Sequence, residues 1–130
     1  MVRGNIRTFT TEAGGKPVED RIRSLAHEAQ AEAMLVLELL EVHGSDLAMP
    51  HARYVEDGLW ELRAHVRRVQ LRILYFHWRG RTFGLLHGFT KRTAATPRAD
   101  VRLALDRRSV WLAREHERER IAKGGEDDRE

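Results

Sequence analysis

The feature that most constrains the fold is an almost unbroken apolar run over residues 71–78, Leu-Arg-Ile-Leu-Tyr-Phe-His-Trp. A strand with one face in water alternates apolar and polar residues, so a run of this kind is typical of a central strand covered on both faces. Residues 59–64 before it do alternate, and residues 82–89 return beyond a short turn at Gly80. We therefore predict an antiparallel meander of about three strands with residues 71–78 in its middle.

Helical patterns and one further strand flank this meander. Residues 2–10 mix β-branched, aromatic and polar residues, which favours a first strand. Residues 17–43 carry apolar residues at spacings of three and four and predict two helices that form a hairpin, with one bent helix as the alternative. A last helix is predicted from Pro97 to about residue 118, with Thr96 as its N-cap. Together these elements predict an α+β fold with an antiparallel sheet of about three to four strands.

Composition narrows the class of protein. The chain has 130 residues, from which we predict a single domain over residues 1–118 and a charged, disordered tail over residues 119–130. It has no cysteine, which excludes disulfide scaffolds, thiolate metal sites and cysteine nucleophiles. No apolar run approaches the roughly 18 residues of a membrane span, and the first residues lack the apolar core of a secretory signal. We expect a soluble cytoplasmic protein with no cofactor, no metal and no membrane partner.

The net charge of +3 conceals an uneven distribution of charge. Residues 53–108 hold 13 Lys and Arg against 5 Asp and Glu, a balance of +8, whereas the rest of the chain holds 10 against 15, a balance of −5. A basic middle of this kind favours a polyanionic partner such as a nucleic acid. The alternative is an arginine-rich solvated surface, since 20 of the 23 basic residues are arginine.

Basic residues concentrate at the ends of the predicted strands. The six candidates are Arg63, Arg67, Arg68, Arg72, Lys91 and Arg92. Guanidinium groups suit bidentate phosphate contacts, and each neutralised phosphate adds salt-dependent affinity. If the strand register brings several of them to one face, they form a cationic site that could stabilise the charge of a phosphoryl transition state. The alternative is that these arginines are surface residues paired with Glu61, Asp57 or Asp100.

One histidine and one aromatic residue join these candidates. None of the seven histidines has metal-ligand spacing, but His87 lies beside the basic strand end and could act as a general acid or base near neutral pH. Phe89 could stack on a base, with core packing as the alternative. No Gly-rich phosphate loop and no G-x-S-x-G motif is present, so nucleotide hydrolysis and serine-hydrolase chemistry have no support.

Four segments occur in a recognisable order. They are GLWELR at 58–63, RILYF at 72–76, LLHGFTKR at 85–92 and the Pro-led helix PRADVRLA at 97–104. The helical hairpin with its ending GSDLAMP at 44–50 precedes them. In this order they resemble the HigB-type toxins of the RelE/ParE superfamily, which belong to bacterial and phage toxin–antitoxin modules. The resemblance spans residues 2–112 and implies a RelE-like, microbial-RNase-type α+β fold.

The resemblance also implies an activity and partners. Such toxins are ribosome-dependent endoribonucleases that cut mRNA in the decoding site, by attack of a 2′-hydroxyl on the adjacent phosphate, and so inhibit translation and arrest growth. Basic residues of the sheet replace the usual histidine–glutamate pair. The implied partners are mRNA, the ribosome and a cognate helix-turn-helix antitoxin in a hetero-oligomer.

Residue roles follow from the same motifs. Arg63 matches the arginine that closes the ELR motif, and Arg72 matches the arginine that stabilises the transition state in relatives. The C-terminal tyrosine of some relatives has no counterpart here, because the matching segment reads Ala-Thr-Pro. His87 or Lys91 would therefore have to act as the base. Lys91 and Arg92 match the basic pair after the third strand of the family. Together with the candidates from the residue patterns, this predicts the catalytic residues Arg72, Lys91, Arg92 and His87 and the substrate-binding residues Arg63, Arg67, Arg68 and Phe89.

Two other functions are compatible with these patterns. The superfamily includes branches with weak or absent cleavage activity, among them gyrase poisons, so a non-catalytic poison of the same fold is one alternative. A plain nucleic-acid-binding domain without toxicity is the other. A small helix-turn-helix protein encoded in the neighbouring reading frame would favour either toxin over the third function.

Overall fold

The computed structural model describes residues 3–91 and 95–127, and within them it shows an α+β architecture of helices on both faces of one sheet. In chain order the elements are β1 Asn5–Thr8, α1 Pro17–Arg23, α2 His27–His43, β2 Ala52–Glu56, β3 Leu59–Val66, β4 Val69–Arg79, β5 Thr82–Thr90 and α3 Arg98–Asp127. The strand order in the sheet is β1-β5-β4-β3-β2.

The apolar run forms β4, the middle strand of the sheet. Leu71, Ile73 and Tyr75 belong to a core cluster shared with α1 and α2. Leu74 and Phe76 belong to a second core cluster shared with α3. Successive side chains of a strand point to opposite faces, so β4 is buried on both sides, and the prediction of a doubly covered central strand is confirmed.

The predicted helical hairpin is also confirmed. Pro17 lies in the first turn of α1, where its missing N–H costs nothing. Gly44 follows α2 with a φ of 56°, a conformation in which glycine is favoured over residues with a Cβ, and so ends the helix. Both helices pack on the sheet face opposite to α3, through apolar residues at helical spacing that include Val18, Val36 and Leu40.

The sheet differs from the prediction in strand number and in direction. It has five strands rather than three to four, and it is mixed rather than antiparallel, because β1 pairs in parallel with β5. The additional strand is β2, which joins β3 through the two-residue turn Asp57-Gly58, with φ of 49° and 78°. Two positive φ values suit the twist of a hairpin, and Asp-Gly is a favoured sequence for them.

Helix α3 extends further than the pattern predicts. It continues to Asp127 rather than ending near residue 118. Its charged second half contains ion pairs three residues apart, between Glu115 and Arg118 and between Glu117 and Arg120, and such pairs favour a helix. The division into a domain over residues 1–118 and a disordered tail stays a prediction. None of the described helices is long and apolar enough to cross a membrane.

Candidate functional site

A buried carboxylate lies at the centre of the basic region. The Glu61 side chain in β3 is 0% exposed, and three cationic groups surround its Oε1 atom. The Nε of Arg72 lies 3.4 Å from it, the Nζ of Lys91 3.6 Å and an Nη of Arg53 3.7 Å. We refer to Glu61, Arg53, Arg72 and Lys91 as the Glu61 cluster.

Strand register explains how distant residues meet in this cluster. Glu61 and Arg63 share one face of β3 because they are two residues apart. Arg53 on β2 lies opposite Glu61, and Arg72 on β4 lies opposite Arg63. Lys91 directly follows β5, and its backbone N–H donates a 3.0 Å hydrogen bond to β4. Three neighbouring strands and the end of a fourth therefore deliver basic side chains to the face that carries α3.

The segment before α3 closes the cluster. The hydroxyl of Thr96 donates a 2.6 Å hydrogen bond to Oε2 of Glu61 and accepts a 3.1 Å hydrogen bond from Arg53. The prediction that Thr96 caps a helix starting at Pro97 is therefore wrong. Helix α3 begins at Arg98, and the Thr96 hydroxyl bonds to Glu61 of β3 and Arg53 of β2 instead of capping the helix. A buried carboxylate needs such donors, and this need outweighs helix capping.

The electrostatics of the cluster favour an anionic ligand. Burial lowers the pKa of Lys91, and Arg72, Arg53 and Arg63 lower it further, whereas Glu61 raises it. Burial and Arg63 likewise lower the pKa of the Arg72 guanidinium, against the effect of Glu61. Arg53, Arg72 and Lys91 thus share the one carboxylate of Glu61, and the neighbouring cations destabilise the charged forms of Arg72 and Lys91. An added phosphate would relieve this repulsion.

The cluster has a buried and an exposed part. The side chains of Arg72 and Lys91 are each 2% exposed, whereas that of Arg53 is 41% exposed. Arg63 is partly exposed, and its guanidinium lies against the sulfur of Met49 at 3.3 Å. An anion that approaches the cluster would contact Arg53 and Arg63 first.

The structure brings some of the predicted site residues together and separates others. Arg63, Arg72 and Lys91 meet at one face, whereas Arg92 lies outside the described residues. Arg67 and Arg68 are exposed in the turn between β3 and β4, and Arg67 pairs with Glu28 of α2 at 3.2 Å, on the opposite side of the sheet from α3.

Phe89 packs away from solvent, although the sequence assigns it to substrate binding. Its ring is buried in the core cluster under α3 and stacks on the His87 ring, with centroids 5.3 Å apart. In this arrangement it has no open face on which a base could stack.

Both ring nitrogens of His87 are engaged by α3. Nε2 lies 2.6 Å from a carboxylate oxygen of Asp100, and an Nη of Arg107 lies 3.4 Å from Nδ1. Burial lowers the pKa of His87, and this outweighs the opposing effect of Asp100, while Arg107 and Arg21 lower the pKa further. A neutral ring with its proton on Nε2 satisfies both neighbours, since it donates to Asp100 and accepts from Arg107.

This environment predicts a pH dependence of stability. Because the pKa of His87 is lower in the folded chain than its ordinary 6.5, the unfolded chain binds more protons as the pH falls below about 6.5, and folding is progressively disfavoured. The loss is complete below the folded pKa and absent above about pH 7. Urea unfolding of the wild type and of His87→Gln across this range should show a smaller loss on acidification in the variant. His116→Gln, at an exposed position on α3, is the matched control and should behave as the wild type.

Neither tyrosine of the chain faces the cluster. Tyr54 on β2 and Tyr75 on β4 lie on the α1–α2 side of the sheet, where Tyr54 packs edge-on against Trp60 and Tyr75 against Phe83. Burial raises the pKa of Tyr75 to about 12, so its phenol stays protonated. No tyrosine therefore replaces the one that the motif comparison finds missing.

Three members of the site are absent from the sequence-based set. Arg53 is overlooked because β2 is not predicted, and Thr96 because its hydroxyl is assigned to the helix cap. Glu61 enters only as a surface ion-pair partner, yet it is fully buried. Leu59 lies two residues before Glu61, so the two side chains share one face of the strand, and an apolar residue on that face is the signal that could have identified it. Within the described residues, no group of His, Asp and Glu is arranged to hold a metal ion.

The chain matches one protein family and is similar to a named endoribonuclease. Residues 20–109, more than two thirds of the chain, match the family described as phage-derived protein Gp49-like, which is of the RelE/HigB type. Over 109 residues the chain is 28% identical to the protein named "Probable endoribonuclease HigB1" from Mycobacterium tuberculosis, in strains CDC 1551 and H37Rv. That match covers 83% of this chain and 85% of the relative. The chain therefore belongs to the phage-derived Gp49-like family, in agreement with the resemblance of its motifs to HigB-type toxins.

Proposed function

We propose that the protein is the toxin of a type II toxin–antitoxin module and acts as an endoribonuclease on mRNA. The observation that carries this proposal is the Glu61 cluster, in which surplus positive charge is buried at one face of the sheet. The name of the Mycobacterium tuberculosis relative supports the choice of RNA cleavage among reactions of phosphate.

The proposed reaction is an internal displacement at phosphorus. The 2′-hydroxyl oxygen attacks the adjacent phosphorus, a P–O2′ bond forms and the P–O5′ bond breaks. The products are a 2′,3′-cyclic phosphate and a 5′-hydroxyl. Arg53 and Arg63, at the outer edge, bind the scissile phosphate. Arg72 then donates to its non-bridging oxygens, where negative charge accumulates in the transition state.

Lys91 is the proposed acid–base residue. A general base works best when its pKa lies near the working pH, and burial and three arginines move the pKa of Lys91 in that direction. In its neutral form it takes the 2′-hydroxyl proton, and water protonates the departing 5′-oxygen. His87 is less suited, because Asp100 and Arg107 engage both of its ring nitrogens. We propose instead that His87 stabilises the packing of α3 through these contacts. Arg92 stays a proposed catalytic residue.

Access to the buried part requires a local opening. Thr96 is hydrogen-bonded to Glu61, and the side chains of Arg72 and Lys91 beside this carboxylate are each 2% exposed. When phosphate binds Arg53 and Arg63, it competes with Glu61 for Arg53. We propose that the hydrogen bond between Thr96 and Glu61 then breaks and exposes Arg72 and Lys91.

The proposed partners follow from the small size of the chain, which leaves little room for a self-contained substrate cleft. The ribosome would position the mRNA, so the protein would act in the cytoplasm, inhibit translation and arrest growth. A helix-turn-helix antitoxin would form a hetero-oligomer with it and cover the basic face through acidic and apolar residues.

Induced expression in bacterial cells without an antitoxin tests this function. We expect growth to stop and incorporation of labelled amino acids to fall within minutes, with no induction of a DNA-damage reporter. Arrest with intact transcripts and a strong DNA-damage response would instead identify a gyrase poison. Harmless expression of the folded chain would identify a plain nucleic-acid-binding domain and refute the toxin.

A further inference from the structure

A second basic site lies at the β1 edge of the sheet, whereas the Glu61 cluster lies toward the β2 edge. A cavity of about 70 Å³ opens between β1 and the second half of α3. Its lining includes three arginines and one indole, Arg7, Arg114, Arg118 and Trp111. A single water needs on the order of 10–15 Å³ of such a volume, so the cavity has room for a group of several heavy atoms.

The charge of this cavity is positive. Arg7 is exposed on β1, and the Arg118 side chain is 65% exposed. Arg114 is held in place, because it donates to the backbone oxygen of Thr10 at 2.6 Å and lies over the Phe9 ring. The one acidic lining residue, Glu115, pairs with Arg118 at 2.8 Å. Three cations against one carboxylate leave a surplus of two positive charges, which matches a phosphate group.

The indole of Trp111 forms one wall of the cavity. Trp111 lines the cavity and is only 7% exposed, yet its indole Nε1–H has no hydrogen-bond partner among the described residues. A buried unpaired donor costs free energy, and such groups are uncommon in folded proteins. The ring itself is fixed by edge contacts with Phe76 and Trp78. A ligand in the cavity would lie beside this ring, so the Trp111 indole N–H can report its binding.

We propose that this cavity binds a phosphate group, and that the physiological ligand is a backbone phosphate of the RNA several nucleotides from the scissile one. The choice of RNA rests on the proposed function. Thr96, which contacts the Glu61 cluster, lies two residues before α3. Trp111 lies about 20 Å further along the helix from Arg98, at 1.5 Å per residue. A single strand laid along α3 could therefore contact both sites. The second contact would fix the direction and register of the RNA.

Nuclear magnetic resonance of the full chain tests binding directly. The chain has three tryptophans, so three indole N–H peaks are expected, and Trp111→Phe identifies the one from Trp111. Titration with inorganic phosphate at constant ionic strength, with chloride as the replaced anion, should shift the Trp111 peak in a saturable way. Absence of a saturable shift would overturn the proposal.

Matched arginine variants locate the contacts. Arg7→Gln combined with Arg118→Gln removes two exposed charges with little loss of packing, so the chain should fold. Because each charge-assisted hydrogen bond contributes roughly tenfold to affinity, phosphate binding should weaken by about tenfold or more. Arg102→Gln, an exposed arginine on the first half of α3, is the control and should bind as the wild type. Equal affinity in all three proteins would overturn the site.

An uncleavable RNA distinguishes the two sources of phosphate. A 2′-O-methyl oligonucleotide lacks the attacking hydroxyl and should shift the same peak at lower concentrations than inorganic phosphate does. A shift with inorganic phosphate but none with the oligonucleotide would overturn the RNA assignment. Neither titration depends on cleavage or toxicity, so failure of this site and failure of the proposed function give different results.

Discussion

Replacing Glu61 with glutamine should lower the free energy of unfolding by about 3–5 kcal/mol, because removal of one partner leaves buried charges uncompensated. Arg72 and Lys91 are almost fully buried beside this carboxylate, and a neutral amide cannot offset their charge. This loss is a large part of the roughly 5–15 kcal/mol by which a domain is stable. Urea unfolding followed by circular dichroism measures it.

Two further variants separate lost charge from lost packing. Glu56→Gln makes the same chemical change at an exposed pair with Arg98 and should have little effect. Glu61→Gln combined with Lys91→Met removes one of the uncompensated cations and should recover part of the stability. A loss in Glu61→Gln no greater than in Glu56→Gln would contradict the electrostatic account of the cluster.

The double substitution of Arg72 and Lys91 by alanine should abolish growth arrest. Loss of a single transition-state donor commonly lowers a catalytic rate by about 10²–10³, and this variant also removes the proposed base. Growth after induction and the rate of transcript loss provide the measurement. The variant must be soluble, with a circular dichroism spectrum like that of the wild type.

Variants outside the buried part complete this comparison. Arg67→Ala with Arg68→Ala removes two exposed charges of the β3–β4 turn, and growth arrest should persist because Arg67 pairs with α2. Arg53→Gln with Arg63→Gln leaves the buried cations in place and should weaken arrest through poorer phosphate binding. Full arrest by the Arg72 and Lys91 variant would show that the site is wrongly assigned.

Hydrophobic periodicity was sufficient to predict most of the fold. The run over residues 71–78 identified the buried central strand, and the spacing within residues 17–43 identified the helical hairpin, because both patterns report which faces are covered. Strand β2 was not predicted because its residues 52–56 mix polar and apolar side chains at a sheet edge. The Asp57-Gly58 turn was the stronger evidence for it, since this dipeptide between strands is typical of a hairpin.

The site was predicted less completely than the fold. Arg63, Arg72 and Lys91 came from their places at strand ends, but which of them meet depends on register, and sequence alone does not determine register. The role of Thr96 depends on a contact between segments 35 residues apart. His87 is a residue type that often acts as a general acid or base, yet Asp100 and Arg107, both on α3, engage its ring nitrogens. Such long-range contacts leave no periodic signal.

Sequencing of the 5′-hydroxyl ends of cellular RNA shortly after induction tests the central claim most directly. The wild type and Arg67→Ala with Arg68→Ala should both produce new 5′-hydroxyl ends inside coding regions, and Arg72→Ala with Lys91→Ala should produce none. Growth arrest by the wild type with no new ends, or the same ends in the Arg72 and Lys91 variant, would contradict RNA cleavage at the Glu61 cluster.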